Sequence, residues 1–187
     1  EKACAIYKLL AENVIKNIFT KNPGTYNVHI FFTPADRETE IKDWLKPILD
    51  DNQGIKTQFR TQEGRNLGER MSNAFKEILQ EKGCKKCIII GTDCPEIDAT
   101  LVENAFDILK EKDVVIGPCK DGGYYLLGMS RPASDLFVDI DWSTDRVFEQ
   151  TIEKIQKNNL SGGVLKTLTD IDTQEDLSCH TTLISIK

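Results

Sequence analysis

The sequence has little with which to cross a membrane, grip nucleic acid or hold a structural zinc. No run among its 187 residues approaches the apolar length needed to span a bilayer. No basic stretch followed by an apolar core and a small-residue cleavage site marks a secretory leader. Lysine and arginine total 24 against 30 acidic residues, a net charge of -6. That sign argues against nucleic acid as a partner, because neutralising a phosphate backbone needs clustered cations. Only two histidines occur, His29 and His180, and their isolation argues against triad chemistry. Cys84 and Cys87 form a C-x-x-C, but no second pair stands at zinc spacing. A redox C-x-x-C opens a helix, whereas Cys87 begins an apolar, strand-like run. Free, mostly structural cysteines in a reducing cytoplasm are therefore expected. With no repeat, linker or low-complexity stretch, residues 1–187 read as a single domain.

What the sequence does contain is concentrated at Ile88-Ile89-Ile90-Gly91-Thr92-Asp93-Cys94-Pro95. An apolar run stops at Gly-Thr-Asp, and a proline prevents the strand from continuing. This is the pattern of a buried parallel strand that delivers one carboxylate to the carboxyl edge of a sheet, where open α/β folds bind ligands.

Around it, strand and helix patterns alternate. Tyr7, Leu10, Val14 and Ile18 repeat at helical spacing, with Pro23-Gly24 as the stop. Val28 to Phe32 reads as a strand. Ile41, Trp44, Leu45 and Ile48 mark a helix that Pro47 shortens or kinks. Ile55 to Arg60 is a weaker strand, and Leu67, Met71, Phe75 and Ile78 form an amphipathic helix ending at Gly83. Asp98 is placed to cap the next helix, and Ser143 or Thr144 to open a later one. Short strands are expected at Val114 to Gly117, Tyr124 to Leu127 and Val164 to Leu168. The alternation predicts a mainly parallel sheet covered on both faces.

Three acidic loops follow apolar runs: Asp93, Asp121 in Asp-Gly-Gly, and Asp172 in Asp-Ile-Asp-Thr. Parallel neighbouring strands bring such loops together, and paired carboxylates with substrate phosphates suit Mg²⁺ or Mn²⁺. Each aspartate also has a local reading. Asp93 fits a turn cap, Gly122 and Gly123 alone explain a turn at Asp121, and Asp172 with Glu175 fits a capping box. Strand alternation turns one of Tyr124 and Tyr125 into the core and leaves the other free to face the site. The segment Gln62-Glu63-Gly64-Arg65-Asn66-Leu67-Gly68-Glu69-Arg70 offers two glycines and a helix N-terminus to a nucleotide, without Walker spacing. Asp139-x-Asp141-x-Ser143-x-Asp145 lacks the glycine and the terminal glutamate of a calcium loop.

Taken in order, Gln62-x-Gly64-x-x-Leu67-Gly68-x-Arg70-Met71, Gly91-Thr92-Asp93-Cys94-Pro95, Asp121-Gly122-Gly123-Tyr124-Tyr125-Leu126-Leu127-Gly128, Trp142-Ser143-Thr144 and Asp170-Ile171-Asp172-Thr173 resemble a known family. It is the bacterial glycosyltransferase-like family with the GT-A, nucleotide-diphospho-sugar transferase fold. Its wider relatives are the molybdenum-cofactor and phospholactate guanylyltransferases. The resemblance implies a three-layer α/β/α sandwich with a mainly parallel sheet. It also implies that the family's opening strand and basic phosphate loop are absent from this chain. Asp93 and Asp172 are the metal ligands by this likeness, with Asp121 as a third catalytic acid. Gln62, Gly64, Asn66, Gly68 and Arg70 correspond to part of a base and ribose pocket, and Thr92, beside Asp93, is a further substrate-binding position. Gly122, Gly123, Tyr124, Trp142, Ser143 and Thr144 correspond to the sugar or acceptor wall.

The expected activity is metal-dependent transfer from a nucleotide-activated donor to a small-molecule acceptor, first of all glycosyl transfer from a nucleotide sugar. Nucleotidyl transfer from a nucleoside triphosphate, releasing pyrophosphate, uses the same metal corner. A non-catalytic nucleotide-binding or interaction module is the third reading.

Overall fold

The computed structural model of the chain describes residues 2–20, 25–52 and 54–171. The expected stop at Pro23-Gly24 and the Asp172 loop lie outside them. Among the described residues, six strands and five helices alternate except where β5 follows β4 directly: α1 (Lys2–Phe19), β1 (Val28–Phe32), α2 (Glu38–Asp50), β2 (Thr57–Thr61), α3 (Leu67–Leu79), β3 (Cys87–Ile90), α4 (Ala99–Ile108), β4 (Val114–Pro118), β5 (Tyr124–Met129), α5 (Val147–Lys157) and β6 (Gly162–Val164). Short 3-10 turns occupy residues 35–37 and 134–137.

Two ladders result. β1 pairs in parallel with β2, and β3-β5-β4-β6 form a second sheet. Within it, β4 and β6 are parallel, while β5 runs antiparallel to both β3 and β4. The short 119–123 link forces that reversal, because a parallel return needs a dozen or more residues. β3, β4 and β6 therefore share one direction, and their carboxyl ends open on the same edge as the start of β5. The outer edges of β1 and β3 carry no ladder among the described residues.

Strand alternation sends side chains into two cores. Ile88, Val115 and Leu126 join Val14 and Ile18 of α1, Leu45 and Ile48 of α2, and Leu101 and Ala105 of α4. Cys87, Val114, Ile116, Leu127 and Met129 meet Met71, Phe75 and Ile78 of α3 and Ile155 of α5. Helices thus cover both faces in three layers. Fully burying each such aliphatic side chain contributes about 1.5–3 kcal/mol. Tyr7, one of the expected apolar positions of α1, is 58 % exposed. Pro47 sits inside α2, which continues to Asp50. α3 closes at Leu79, four residues short of Gly83.

A break in strand pairing between Gly117 and Pro118 leaves Tyr125 as an extra residue opposite β4. Counting back from Leu127 by strict alternation puts Tyr124 on the α1, α2 and α4 face. The irregularity reverses this, in the manner of a β-bulge that re-aims a side chain near a site. Tyr125 joins the first core and donates its hydroxyl to the Lys166 carbonyl at 3.0 Å. Tyr124 turns toward α3 and the open strand ends.

Candidate active site

A cavity of about 460 Å³ opens at those strand ends. Its lining includes Asp93, Cys119, Asp121, Asp145 and Asp170, with Tyr124, Trp142, Ser143 and Thr144 as walls. Four aspartates are among its lining residues, none of which is a lysine or arginine. Like charges this close repel unless a cation or a proton intervenes. A divalent cation, if held there, would relieve such repulsion.

Local backbone geometry explains how each acid arrives. β3 ends at Ile90, and Gly91 lets Asp93 fold back, since a Cβ there would lie 2.7 Å from Asp93 Oδ1. The Asp93 carbonyl accepts the Ile171 N–H at 3.1 Å, which ties the loop after β6 to the loop after β3 and sets Asp170 beside them. Asp121 Oδ1 accepts the Gly123 N–H at 2.8 Å, so the local turn reading of this residue holds as well as its place in the cavity. Gly122 has φ +90, and a Cβ on it would lie 2.0 Å from the Asp145 carbonyl oxygen. That close approach admits Asp145, helped by the Phe148 N–H donating to the Gly122 carbonyl at 2.8 Å.

Cys119 Sγ and carboxylate oxygens of Asp121 and Asp170 all lie within 4.8 Å of one another. Oxygen donors suit Mg²⁺ or Mn²⁺, and a thiolate leans toward softer ions such as Zn²⁺. This donor set fits a divalent cation. Asp172, the second ligand implied by the family likeness, lies outside the described residues.

The other expected site residues divide between lining and scaffolding. Tyr124, Trp142, Ser143, Thr144 and Gly123 line the cavity. Ser143 holds φ 65, a strained conformation at a cavity wall. Thr144 Oγ1 donates to the Asp141 carbonyl at 2.7 Å and accepts the Arg146 N–H at 3.3 Å. Burial pushes the Tyr124 phenol above its ordinary value, keeping it protonated. Thr92 Oγ1 and the Tyr7 hydroxyl lie 3.2 Å apart.

The Gln62–Arg70 segment is largely engaged with itself. The Gln62 N–H extends the β1–β2 ladder to Phe32, and Asn66 caps α3 by accepting the Glu69 N–H at 2.9 Å. Arg70 Nε donates to the Gly64 carbonyl at 3.3 Å, and Arg65 pairs with Glu69. Gly68 is the contact through which this segment touches the cavity, because a Cβ on it would meet Trp142 Nε1 at 2.6 Å. Of the motif, Leu67 alone lines the cavity, half-exposed at its rim.

Cys119, Asp145 and Asp170 were not legible as site residues. Asp170 stands two positions before Asp172 in the same motif, and Cys119 two before Asp121. Proximity to each named acid was the usable signal. Asp145 directly follows Thr144 of the Trp142-Ser143-Thr144 motif, and its position depends on the backbone approach at Gly122.

A larger cavity of about 810 Å³ lies over β2 and α3. Its Arg60 is already paired with Glu77 and Glu81 and donates from Nε to His29 Nδ1 at 3.0 Å. Among the described residues, no metal-binding cluster lies in its lining.

The structure of a provisionally named nucleotide-diphospho-sugar transferase from Desulfovibrio desulfuricans G20 superposes with a TM-score of 0.83 and 30 % identity, covering 96 % of this chain and 74 % of that one. A protein from Mycobacterium sp. strain JC1, homologous to one of Mycobacterium tuberculosis, shares the fold at TM-score 0.53 and 10 % identity, over 94 % of this chain and 84 % of that one. Fold and site together define a transferase of the GT-A, nucleotide-diphospho-sugar transferase class. Within that class, residues 19–144 match the family described as "uncharacterized protein conserved in bacteria (DUF2064)", and the chain belongs to it.

The 2-phospho-L-lactate guanylyltransferase of Methanocaldococcus jannaschii is 28 % identical over 91 % of this chain and 69 % of its own length. Its counterpart from another Methanocaldococcus strain is 28 % identical over 75 % of the chain and 57 % of its own length. No helix among the described residues is long and apolar enough to cross a membrane.

Proposed function

We propose that the chain carries the metal corner of a nucleotidyltransferase, which moves a nucleoside monophosphate from a nucleoside triphosphate to a small acceptor and releases pyrophosphate. The observation that carries this reading is the four-carboxylate pocket, which excludes polyphosphate without a cation and becomes a triphosphate site with one. Likeness to two guanylyltransferases over most of the chain favours nucleotidyl over glycosyl transfer.

Asp170 and Cys119, from the cluster they form with Asp121, would hold Mg²⁺ or Mn²⁺ together with Asp93 of the same cavity and Asp172 of the same motif. Such an ion supplies charge neutralisation on the departing pyrophosphate. Asp121, fixed by the Gly123 N–H, accepts the proton of the acceptor hydroxyl as its oxygen attacks the α-phosphorus. Trp142 and Tyr124 pack around the acceptor and exclude water, while Ser143 and Thr144 offer it hydroxyl groups. By the family likeness, Thr92, Gly64 and the α3 N-terminus would serve the donor side, although Thr92 and Gly64 are not among the cavity's lining residues. The free cysteines suit a reducing, cytoplasmic setting.

The name of the 30 %-identical structural relative favours a second reading, glycosyl transfer from a nucleotide sugar. Product analysis separates the two. With a panel of nucleoside triphosphates and sugar nucleotides, the first reading expects pyrophosphate. Release of a nucleoside diphosphate from a sugar nucleotide, with no pyrophosphate from any triphosphate, overturns it in favour of the second.

A further inference from the structure

Two thiols meet at the floor of the acidic pocket, and the transfer reaction needs no contact between them. Cys94 Sγ and Cys119 Sγ lie 3.7 Å apart, bringing together the loops after β3 and β4. Cys94 is fully buried, whereas Cys119 is 8 % exposed and lines the cavity. Each is coupled to an acid of the site: Cys94 follows Asp93 directly, and Cys119 is within 4.8 Å of the Asp121 and Asp170 carboxylates. A disulfide requires the sulfurs to close to about 2.05 Å, a movement of about 1.7 Å shared by two side chains. The sequence C-x-x-C is differently placed, with the Cys84 thiol donating to the Lys86 carbonyl at 3.4 Å.

We propose that Cys94 and Cys119 form a peroxide-sensitive thiol pair, whose oxidation to a disulfide weakens divalent-cation binding in the adjoining pocket. The cation effect rests on the metal site proposed above. The sulfur chemistry does not.

Cys119 is the thiol that a small oxidant reaches through the cavity. Its sulfur attacks one oxygen of hydrogen peroxide, the O–O bond breaks, and the departing hydroxide takes the thiol proton as water. Cys94 then attacks the sulfenic sulfur, the S–O bond breaks, and that hydroxide leaves as water with the Cys94 proton. Two thiols lose two electrons and two protons, and one peroxide becomes two waters. The new bond draws Cys119 away from Asp121 and Asp170 and tethers the Asp93 loop to β4.

The test treats the whole chain with hydrogen peroxide, then combines non-reducing peptide mapping with Mn²⁺ titration. A peptide linking Cys94 to Cys119 is expected, with a mass loss of two hydrogens that dithiothreitol restores. Trypsin leaves Cys87 and Cys94 on one peptide, so fragmentation between them assigns the linked sulfur. Mn²⁺ affinity should fall on the order of tenfold on oxidation, the scale seen when metal sites lose supporting partners. In Cys94→Ala or Cys94→Ser, Cys119 should instead gain oxygen atoms. Linkage of Cys84 to Cys87 alone, or oxygen addition at Cys119 in the unmodified chain without linkage, overturns the thiol pair. Full linkage with unchanged Mn²⁺ affinity overturns the cation effect. A reduced chain that binds no Mn²⁺ counts against the metal site itself and leaves the linkage result standing.

Discussion

At Gly122 the backbone adopts φ +90 and passes under the start of α5, where a Cβ would lie 2.0 Å from a carbonyl oxygen. The obstacle is backbone, so no side-chain rotation relieves it. Gly122→Ala should therefore destabilise the fold by about 2–5 kcal/mol, combining left-handed strain with overpacking. Urea denaturation measures it, and a change within about 0.5 kcal/mol, typical of a neutral surface site, contradicts the geometry. Gly122 and Gly123 pointed to close backbone approach in the sequence, and the structure identifies Asp145 as what comes close. The aspartates at strand ends were legible because a buried strand stays apolar along its length, so an acid that halts the run marks where the chain leaves the sheet for solvent or ligand. Cys119 was not, because a cysteine after a buried strand reads as core until its distances to two carboxylates are known.

Elements were more legible than their ends. Apolar periodicity located α3, and Asn66 caps it through the Glu69 N–H. Asp98 caps α4 as expected, accepting the Leu101 N–H at 2.8 Å. Replacing either cap by alanine should cost about 1 kcal/mol. Because the caps serve different helices, the two losses should add in the double variant. A double loss well below the sum, read by thermal or urea denaturation, would show that one helix end relies on other partners. What periodicity missed is the irregular pairing at Gly117/Pro118, which exchanges the faces of Tyr124 and Tyr125. Alternation cannot foresee an extra residue, so only the existence of one inward and one outward tyrosine was readable. β6 is likewise three residues long, Gly162–Val164, with a separate bridge from Cys119 to Leu168 replacing the longer strand expected to end there.

Across the molecule, charge is arranged in two regions with opposite requirements. Behind β2, Arg60 is enclosed by Glu77, Glu81, Gln58 and His29 and needs no ligand. Burial, reinforced by Arg60, lowers the His29 pKa below 6.5, and its Nδ1 accepts from Arg60 only while unprotonated. As pH falls through the unfolded value near 6.5, the unfolded chain takes this proton first. The His29 contribution is therefore complete above that pH and declines below it. His29→Gln should flatten the stability profile between about pH 7 and about pH 5. An unchanged slope in denaturant titrations contradicts the assignment.

At the strand ends, four aspartates and no basic residue are among the cavity's lining. The cation-assisted phosphate site proposed above accounts for that accumulation. The most direct test is calorimetric titration of nucleoside triphosphates into the chain and its Asp93→Asn variant, with and without Mn²⁺ or Mg²⁺. The account predicts binding that requires the cation and is lost in the variant. Equal binding by Asp93→Asn, or full binding without a divalent cation, would contradict it.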